Sequence, residues 1–423
     1  MRRVPAALLV VLALAGGVGI GLFAGRAVMG NPSSSPSAVA GVSPGATSSA
    51  APPSSSAPAP SDASAAPGES GSPEPTASPQ PTSALVPDPL DGVLVTPALA
   101  KRHVVAVMID DLWAARPQSG LSAASIVWQA PAEGGIPRYM ALFSEGNPPA
   151  VGPIRSSRLY FIAWAAEWDA VYAHVGGSPQ ALALLNSSQG QGKVVWNADE
   201  FRYAKPYMWR ISQRQAPHNV YTDGKHLRLL VKATHAPVSM SYTPHWQFAP
   251  DPSIDQLPVG GTIVVPYLAN RISYSYQRST NSYPRAVSVE GKQVDAGTKT
   301  RISPKNVVVI FMHFGPLNDH EPQKHRLEAT FTGSGKALVF NNGRMVRATW
   351  RKASLTAPTY LYGPDGKPVT LTVGQTFVQV VPIGTAVTYK LGKVPPAPTP
   401  SPSDAPSPSP SSAGEVGDWR LAL

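Results

Sequence analysis

In the first part of the chain, apolar runs typical of buried strands alternate with segments that have the periodicity of helices. Residues 104–109 form a continuous apolar run of the kind found in strands that are buried on both faces. Residues 158–167 instead place Leu, Ile and Ala on one helical face, and Ser178-Pro179 combines a preferred N-cap with a preferred first helical residue. Strands that alternate with helices predict a mixed α/β domain, which we place at residues 85–245.

The second part of the chain has the pattern of a β-structure. Asn341-Asn342-Gly343 separates two strand candidates and predicts a tight hairpin, because Asn and Gly accept the positive φ that such turns require. We place this β-rich C-terminal domain at residues 246–393, after a proline-rich stretch. The predicted fold class is mixed α+β (α/β), a layered sandwich of two β-layers and helices. The strands expected in this part are residues 262–265, 272–276, 307–313, 336–340, 345–350 and 376–381.

The amino terminus has the pattern of a membrane segment. Arg2 and Arg3 precede an apolar run at residues 4–25, which as a helix would span roughly 33 Å, enough for the hydrocarbon core of a bilayer. Two arginines before the run and one after it favour a cytoplasmic amino terminus. We therefore expect residues 1–30 to be an uncleaved single-pass anchor in the cell membrane, with the rest of the chain extracytoplasmic. The alternative is a cleaved signal segment and a secreted protein.

Two tracts of biased composition flank the predicted domains. Residues 31–84 contain 16 Ser, 12 Pro and 12 Ala and have no aromatic residue, Lys or Arg, so they cannot bury enough apolar surface to offset the ordering entropy. We expect a disordered linker there and a disordered Pro/Ser tail at residues 394–423. The linker would hold the folded part away from the membrane surface.

Charge and cysteine content narrow the class of protein. Residues 85–393 carry 31 Lys and Arg against 19 Asp and Glu, an excess that favours an anionic partner. Because the basic residues are dispersed and the chain is expected to be exported, we predict no nucleic-acid partner. The chain has no cysteine, which excludes disulfides, thiol catalysis, thiolate-bound metals and a lipid-modified cysteine.

Several charged residues lie next to turns and helix starts, where ligands often bind. Arg155 and Arg158 lie three residues apart at a predicted helix start, and residues 176–178 (Gly-Gly-Ser) precede another. Guanidinium groups form bidentate contacts with carboxylates and phosphates. The alternative is a structural set of ion pairs that only holds the turns. The candidate ligand-binding residues are Arg116, Arg138, Arg155, Arg158, Ser178 and Asn219.

A second group of residues could carry acid/base chemistry. Asp110 ends the first apolar strand and Glu133 precedes two glycines, while His174 and His218 each lie beside turn residues. A carboxylate paired with a histidine is a common general acid/base arrangement. The spacing of the two histidines matches no metal motif, so we predict neither a metal nor another cofactor. The sequence also lacks a Gly-x-Ser-x-Gly nucleophile motif, a P-loop and a dinucleotide fingerprint.

An ordered set of motifs resembles the YerB-like family of bacterial envelope proteins, over residues 88–385. The motifs are residues 107–111 (Val-Met-Ile-Asp-Asp), 115–121 (Ala-Arg-Pro-Gln-Ser-Gly-Leu), 133–135 (Glu-Gly-Gly) with Arg138, 152–158 (Gly-Pro-Ile-Arg-Ser-Ser-Arg), 174–179 (His-Val-Gly-Gly-Ser-Pro), 216–219 (Ala-Pro-His-Asn), 306–309 (Asn-Val-Val-Val), 346–352 and 373–376 (Val-Gly-Gln-Thr). The resemblance implies two β-layers with helices on a secreted or membrane-tethered protein, and it implies no particular activity.

The chain departs from the pattern of that family at three points. It lacks the acylated cysteine that is usual in members described as lipoproteins, and it has Asp111 and Pro137 where the family pattern has Asn and Thr. We therefore expect the membrane anchor of this protein to be a helix and not a lipid.

Two functional hypotheses follow from the sequence. The first is a membrane-tethered, extracytoplasmic envelope protein that binds an anionic cell-wall polymer or peptide through an arginine-rich cleft. The second is an envelope hydrolase or transferase that uses Asp110 or Glu133 with His174 or His218 as an acid/base pair. Binding requires fewer converging residues than catalysis, which favours the first hypothesis.

Overall fold

The computed structural model describes residues 84–288 and 290–394 of the chain. The predicted anchor lies outside these residues, as do the predicted linker and tail apart from residues 84 and 394. Among the described residues, no helix is both long enough and apolar enough to cross a membrane.

Helices form a small part of the described structure. The α-helices are α1 (Pro97–Ala100), α2 (Leu159–Ala166), α3 (Pro179–Asn186) and α4 (Gly224–Ala233). Short 3-10 turns occur at Trp113–Ala115, Leu121–Ala123, Glu133–Gly135, Ile254–Gln256, Arg278–Thr280 and Pro322–Lys324. Helix α3 begins as its sequence predicts, with Ser178 at the N-cap and Pro179 as the first helical residue.

Strands dominate the described residues. The first strands are β1 (Val86–Pro87), β2 (Leu94–Val95), β3 (Val105–Asp110), β4 (Ile126–Pro131), β5 (Pro137–Phe143), β6 (Val171–His174), β7 (Trp196–Asp199), β8 (Trp209–Arg210), β9 (Val220–Tyr221), β10 (Gln247–Ala249), β11 (Thr262–Pro266) and β12 (Arg271–Ser275). The strands that follow are β13 (Arg285–Val287), β14 (Gly291–Lys292), β15 (Asn306–Met312), β16 (Phe314–Pro316), β17 (Leu327–Ala329), β18 (Gly333–Asn341), β19 (Arg344–Lys352), β20 (Tyr360–Tyr362), β21 (Thr370–Thr372), β22 (Thr376–Pro382) and β23 (Thr388–Lys390).

The largest sheet has ten strands and takes them from both parts of the sequence. Its order is β20-β19-β18-β15-β22-β4-β5-β3-β6-β7. The pairs β15–β22, β22–β4, β3–β6 and β6–β7 are parallel, and the other pairs are antiparallel. The β22–β4 pair joins a strand of the β-rich part to a strand of the first part. A domain boundary at residues 245 and 246 remains a prediction.

Strand β3 shows why the sheet is apolar on both faces. Val105 and Val107 belong to one buried cluster, together with residues of α4, whereas Ala106 and Met108 belong to another, together with residues of α2. Successive strand residues point to opposite faces, so a continuous apolar run is required when both faces are covered. Helix α2 is buried at seven of its eight residues, and not only along the single stripe that its sequence suggested.

A second, five-stranded antiparallel sheet packs against part of the first. Its order is β14-β13-β12-β11-β23, and Ile263 and Tyr274 from this sheet share a buried cluster with Val307 and Val309 of β15. The predicted hairpin is present between β18 and β19, where Asn342 and Gly343 have φ values of 51° and 66°. The structure confirms a mixed α+β fold with large sheets, while the layered sandwich remains a prediction.

Candidate functional site

Backbone pairing brings the starts of α2 and α3 together at the end of β3. The amide of Arg155 donates to the carbonyl oxygen of Met108 at 3.0 Å, so the segment before α2 runs along the end of the strand. The amide of Ser157 donates to the carbonyl oxygen of Gly176 at 2.9 Å, which fixes the turn before α3 beside the same segment. The arginines that precede α2 and the glycines that precede α3 therefore lie next to each other.

The turn between β4 and β5 brings Glu133 to the same place. Gly134 and Gly135 have φ values of 56° and 76°, in the left-handed region that favours glycine. A Cβ atom on Gly135 would lie 3.0 Å from the exposed side chain of Leu268, which would have to move, and the positive φ itself disfavours a larger residue here. Through this turn Oε2 of Glu133 lies 2.7 Å from Nη2 of Arg138, and Oε1 accepts a hydrogen bond from Arg158.

These residues surround a pocket of about 390 Å³, which we call the arginine pocket. Arg138 lies behind it and holds Glu133, and its Nη1 also donates to the carbonyl oxygen of Ser156 at 3.2 Å. The residues that line the arginine pocket are Glu133, Arg155, Ser156, Arg158, Gly177, Lys324 and Arg326.

The arginine pocket has more positive than negative charge around Glu133. Burial acts to raise the pKa of the Glu133 carboxyl, but Arg138 and Arg158 outweigh it and the pKa is lowered. The Arg158 side chain is only 1% exposed, and burial together with Arg138 lowers its pKa to about 9. The buried Nε of Arg158 has no hydrogen-bond partner among the described residues. One carboxylate thus pairs with Arg138 and Arg158 and lies 3.7 Å from Nε of Arg326, and Nε of Arg158 is left without a partner.

Asp110 forms a second cluster next to the arginine pocket. Its Oδ2 lies 2.9 Å from Nε of Arg155 and 2.7 Å from Nδ1 of His218, and its Oδ1 accepts a hydrogen bond from the amide of Leu112 at 3.1 Å. Burial acts to raise the pKa of Asp110, but the hydrogen bond from His218 and the charge of Arg155 lower it to about 2. Arg155 therefore connects the Asp110–His218 pair with the arginine pocket.

His174, the other predicted acid/base residue, is placed differently. Its ring is fully buried, with Nδ1 2.8 Å from the carbonyl oxygen of Gly176 and Nε2 2.8 Å from Oδ1 of Asn197. Both nitrogens are engaged in these contacts, and His174 forms no ion pair or hydrogen bond with Glu133 or His218. The structure therefore brings only His218 to a carboxylate of the predicted set.

Besides Arg138, three predicted ligand-binding residues are not among the residues that line the arginine pocket. Ser178 is buried at the start of α3, and its hydroxyl makes no capping hydrogen bond. Oδ1 of Asn219 accepts a hydrogen bond from Nη1 of Arg210 at 3.1 Å. Arg116 is paired with Asp111 at 2.9 Å and lines a different pocket.

Two charged residues of the arginine pocket were not among the sequence candidates. Lys324 and Arg326 come from the β-rich part of the chain, in the segment between β16 and β17. The amide of Gly134 donates to the carbonyl oxygen of His325 at 2.9 Å, which brings this segment to the Glu133 turn. Arg326 also pairs with Asp319 at 2.5 Å and with Glu321 at 2.7 Å. No local motif marks this long-range contact, so the sequence offers no signal for it.

A separate group of three carboxylates, the acidic cluster, lies elsewhere in the described structure. Oxygens of Asp88, Asp91 and Glu145 lie within 4.8 Å of one another, a spacing that could hold a metal ion. Burial and the charge of Glu145 raise the pKa of Asp88 to about 6, and burial with the charges of Glu145 and Asp88 raises that of Asp91 to about 8. The raised pKa of Asp91 reduces the charge of the cluster at neutral pH, and we assign no metal to it.

Comparison with known proteins identifies the family. Residues 90–237 match the N-terminal domain, and residues 263–378 the C-terminal domain, of the family described as protein of unknown function (DUF3048). The chain is 27% identical over 317 residues to a Bacillus subtilis (strain 168) protein named "Putative lipoprotein YerB", across 72% of this chain and 89% of that protein. The crystal structure of the YerB protein from Bacillus subtilis superimposes with a TM-score of 0.64 and 25% identity, across 72% of this chain and 99% of that one.

The chain therefore belongs to the YerB-like family, which combines these two domains. This result confirms the resemblance that the ordered motifs predict.

Proposed function

We propose that this protein is an extracytoplasmic envelope protein, tethered to the membrane by residues 1–30, whose arginine pocket binds an anionic group of a cell-wall polymer or peptide. The observation that carries the proposal is the buried guanidinium of Arg158, which has a free Nε–H and shares one carboxylate with Arg138. Burying charge without full compensation is costly in a purely structural network. An anionic ligand would supply the missing acceptor and the missing negative charge.

The geometry suits a phosphate or carboxylate ligand. Arg155 and Lys324, which pair with Asp110 at 2.9 Å and with Glu321 at 2.6 Å, are the more accessible cations of the pocket, with side chains 21% and 47% exposed. Their charged groups can contact a ligand that enters from solvent, whereas Arg158 lies at the base of the pocket. Each charge-assisted hydrogen bond of this type contributes roughly 1.5–3 kcal/mol when it is partly buried. Two or three such contacts sum to roughly 3–9 kcal/mol, which corresponds to millimolar to micromolar binding of one anionic group, and a polymer with repeated anionic groups binds more tightly through avidity.

The location outside the cytoplasmic membrane has independent support. A relative in Bacillus subtilis carries the name of a lipoprotein, and this chain begins with an apolar run long enough to span a bilayer. Since the chain has no cysteine, it cannot be attached through an acylated cysteine. The apolar run would serve in its place, and residues 31–84 would place the arginine pocket within reach of the wall.

Co-sedimentation with purified cell-wall sacculi tests the proposal. The full chain in detergent should sediment with sacculi that retain their phosphate polymers and less well with sacculi stripped of them by acid. The double substitution Arg155→Gln and Lys324→Gln should weaken this binding by about tenfold or more, since it removes two charge-assisted contacts. Binding should also weaken with added salt.

A matched control separates the pocket from the overall charge of the protein. Arg271→Gln with Lys367→Gln removes the same charge from two exposed positions elsewhere. This variant should sediment like the parent protein. Equal loss in both double variants would mean that dispersed charge binds the wall, and equal retention in both would exclude the arginine pocket.

The Asp110–His218 pair supports a second candidate function. His218 is oriented by a buried carboxylate at 2.7 Å, its Nε2 has no hydrogen-bond partner among the described residues, and Arg155 joins the pair to the arginine pocket. A histidine held in this way can act as a general acid or base on a ligand bound beside it. The corresponding activity is hydrolysis or transfer at a phosphate ester.

Hydrolysis of bis(p-nitrophenyl) phosphate tests this second function. Activity that is present in the parent and lost by about a hundredfold or more in His218→Gln would support it, in line with the usual contribution of a general base. The His174→Gln variant serves as the comparison, because that ring has both nitrogens engaged internally. No activity in the parent protein, or an equal loss of activity in both variants, would contradict the hypothesis that His218 is a general acid or base.

A further inference from the structure

An exposed tryptophan marks a pocket that is separate from the arginine pocket. Trp113 is 76% exposed and lies in the 3-10 turn that follows β3. The pocket beside it has a volume of about 550 Å³ and shares no residue with the arginine pocket. The residues that line this tryptophan pocket are Trp113, Arg116, Pro117, Glu290, Lys292, Val294, Asp295, Ala296 and Lys299.

The backbone that carries Trp113 is held on both sides. Nη2 of Arg116 donates to the carbonyl oxygen of Asp111 at 3.0 Å and to its Oδ1 at 2.9 Å. Arg214 donates from Nη1 to the carbonyl oxygen of Ala114 at 2.8 Å and from Nη2 to that of Pro117 at 3.0 Å. The indole is therefore exposed on a fixed turn. Ligand binding to it requires little further ordering of this turn, so the entropic cost from the protein is small.

Arg116 offers an unused donor to the tryptophan pocket. Its side chain is 2% exposed, and its buried Nη1 has no hydrogen-bond partner among the described residues. Buried guanidinium nitrogens without a partner are uncommon, because the desolvation of the donor is then not compensated. An oxygen atom of a ligand in the pocket would give Nη1 of Arg116 its missing hydrogen-bond acceptor.

The remaining charges of the tryptophan pocket favour an acidic ligand that also has hydroxyl groups. Asp295 is already satisfied, since its carboxylate accepts four hydrogen bonds from the amides of residues 122, 297 and 298 and from the hydroxyl of Ser122. Lys292 and Lys299 are exposed and form no ion pair within the described residues. Glu290, 3.4 Å from Arg116, is an exposed acceptor that would repel a dense polyphosphate but could accept a hydrogen bond from a hydroxyl.

We propose that the tryptophan pocket binds a carboxylated glycan. The indole of Trp113 stacks on the apolar face of a pyranose ring, a contact that aromatic side chains make with large buried area. Arg116 and the two lysines bind the carboxylate, and Glu290 accepts from a ring hydroxyl. This proposal does not depend on the arginine pocket, so either site can fail without the other.

Two glycan probes that share an N-acetylglucosamine-type backbone and differ in the carboxylate-bearing lactyl ethers test the proposal. The first is a soluble strand of alternating N-acetylglucosamine and N-acetylmuramic acid without its peptides, and the second is neutral chitotetraose. Titration calorimetry on the full chain in detergent should detect the first, with the second bound about tenfold more weakly because it cannot form the charged contacts. Lys292→Gln with Lys299→Gln should remove most of this preference.

The tryptophan itself is tested with a matched aromatic control. Trp113→Ala should weaken binding of the carboxylated strand about tenfold, whereas Trp113→Phe retains the stacking face and should lose far less. Phe201, which is also 76% exposed, is the control, and Phe201→Ala should bind like the parent. Equal affinity of the parent and Trp113→Ala, or equal affinity of the parent for the two glycans, would overturn the proposal.

Discussion

Two groups of carboxylates, one beside the arginine pocket and one in the acidic cluster, have pKa values that shift in opposite directions. Beside the arginine pocket, Asp110 and Glu133 each contact a cation within 3 Å, and the pKa of each carboxyl is lowered. In the acidic cluster, Asp88 and Asp91 form no ion pair within the described residues, and their pKa values rise to about 6 and about 8. Burial acts in the same direction in both places, so the difference comes from the neighbouring charges.

The comparison shows what the arginines do for the first site. They keep Asp110 and Glu133 ionised at neutral pH, whereas the acidic cluster reduces its charge by holding protons. Around the arginine pocket, five cations (Arg138, Arg155, Arg158, Lys324 and Arg326) face four carboxylates (Asp110, Glu133, Asp319 and Glu321), which leaves a small excess of positive charge. Such an excess favours an anion at this site.

The largest effect is expected when Glu133 loses its charge. Glu133→Gln leaves Arg138 and Arg158 without their carboxylate, and the free energy of unfolding should fall by about 3–5 kcal/mol, as for other broken buried ion pairs. Urea denaturation at pH 7 measures this change. The control is Glu328→Gln at an exposed position of β17, which should stay within about 0.5 kcal/mol of the parent. If both variants lose the same amount of stability, the ion pairs of Glu133 do not stabilise the protein, and the contrast between the arginine pocket and the acidic cluster is wrong.

The next effect concerns Asp110 and acid. Its pKa is about 2 in the folded chain, below the ordinary value of 3.8, so its contribution to stability is present above about pH 4 and is lost as the pH falls through 2. Asp110→Asn should therefore lower the free energy of unfolding by roughly 2 kcal/mol at pH 7. The difference between this variant and the parent should shrink towards pH 2. If the difference in free energy of unfolding between the two proteins does not depend on pH, the charge of the Asp110 carboxylate does not contribute to stability.

The acidic cluster should respond with the opposite sign. Because the pKa of Asp91 is raised to about 8, the folded chain keeps a proton that the unfolded chain releases above about pH 4, and stability should fall between pH 4 and pH 8. Asp91→Asn should flatten this slope and stabilise the protein at pH 8 by about 1 kcal/mol or more. Thermal unfolding of both proteins at pH 5 and pH 8 measures the effect. A variant that is less stable than the parent at pH 8 would contradict it.

Local patterns predict part of the site and long-range contacts supply the rest. The end of β3 at Asp110, the helix start at Ser178 and the hairpin at Asn342 follow from residues adjacent in sequence, where periodicity and turn chemistry act directly. Lys324 is not predictable in this way, because the parallel pairing of β22 with β4 brings the two parts of the chain together.

The environment of a side chain is equally hard to predict from sequence. His174 and His218 look alike in sequence, each beside turn residues, but one bonds Asn197 and the other Asp110. The acidic cluster was not predicted at all, since its members are separated by β3 to β5 and no charge pattern marks them. The sequence thus indicates which residue types could act, and the fold decides which of them meet.

Titration calorimetry with inorganic pyrophosphate, on the parent protein and on Glu133→Gln, tests the central claim most directly. If the arginine pocket is an anion site, Glu133 competes with the ligand for Arg158, which lines the pocket. The parent should then bind pyrophosphate, and the less stable Glu133→Gln should bind it about threefold more tightly or better, because the Arg158 guanidinium is released and a negative charge is removed from the pocket. No binding to either protein, or weaker binding to Glu133→Gln, would contradict the account and leave the arginines as structural ion pairs.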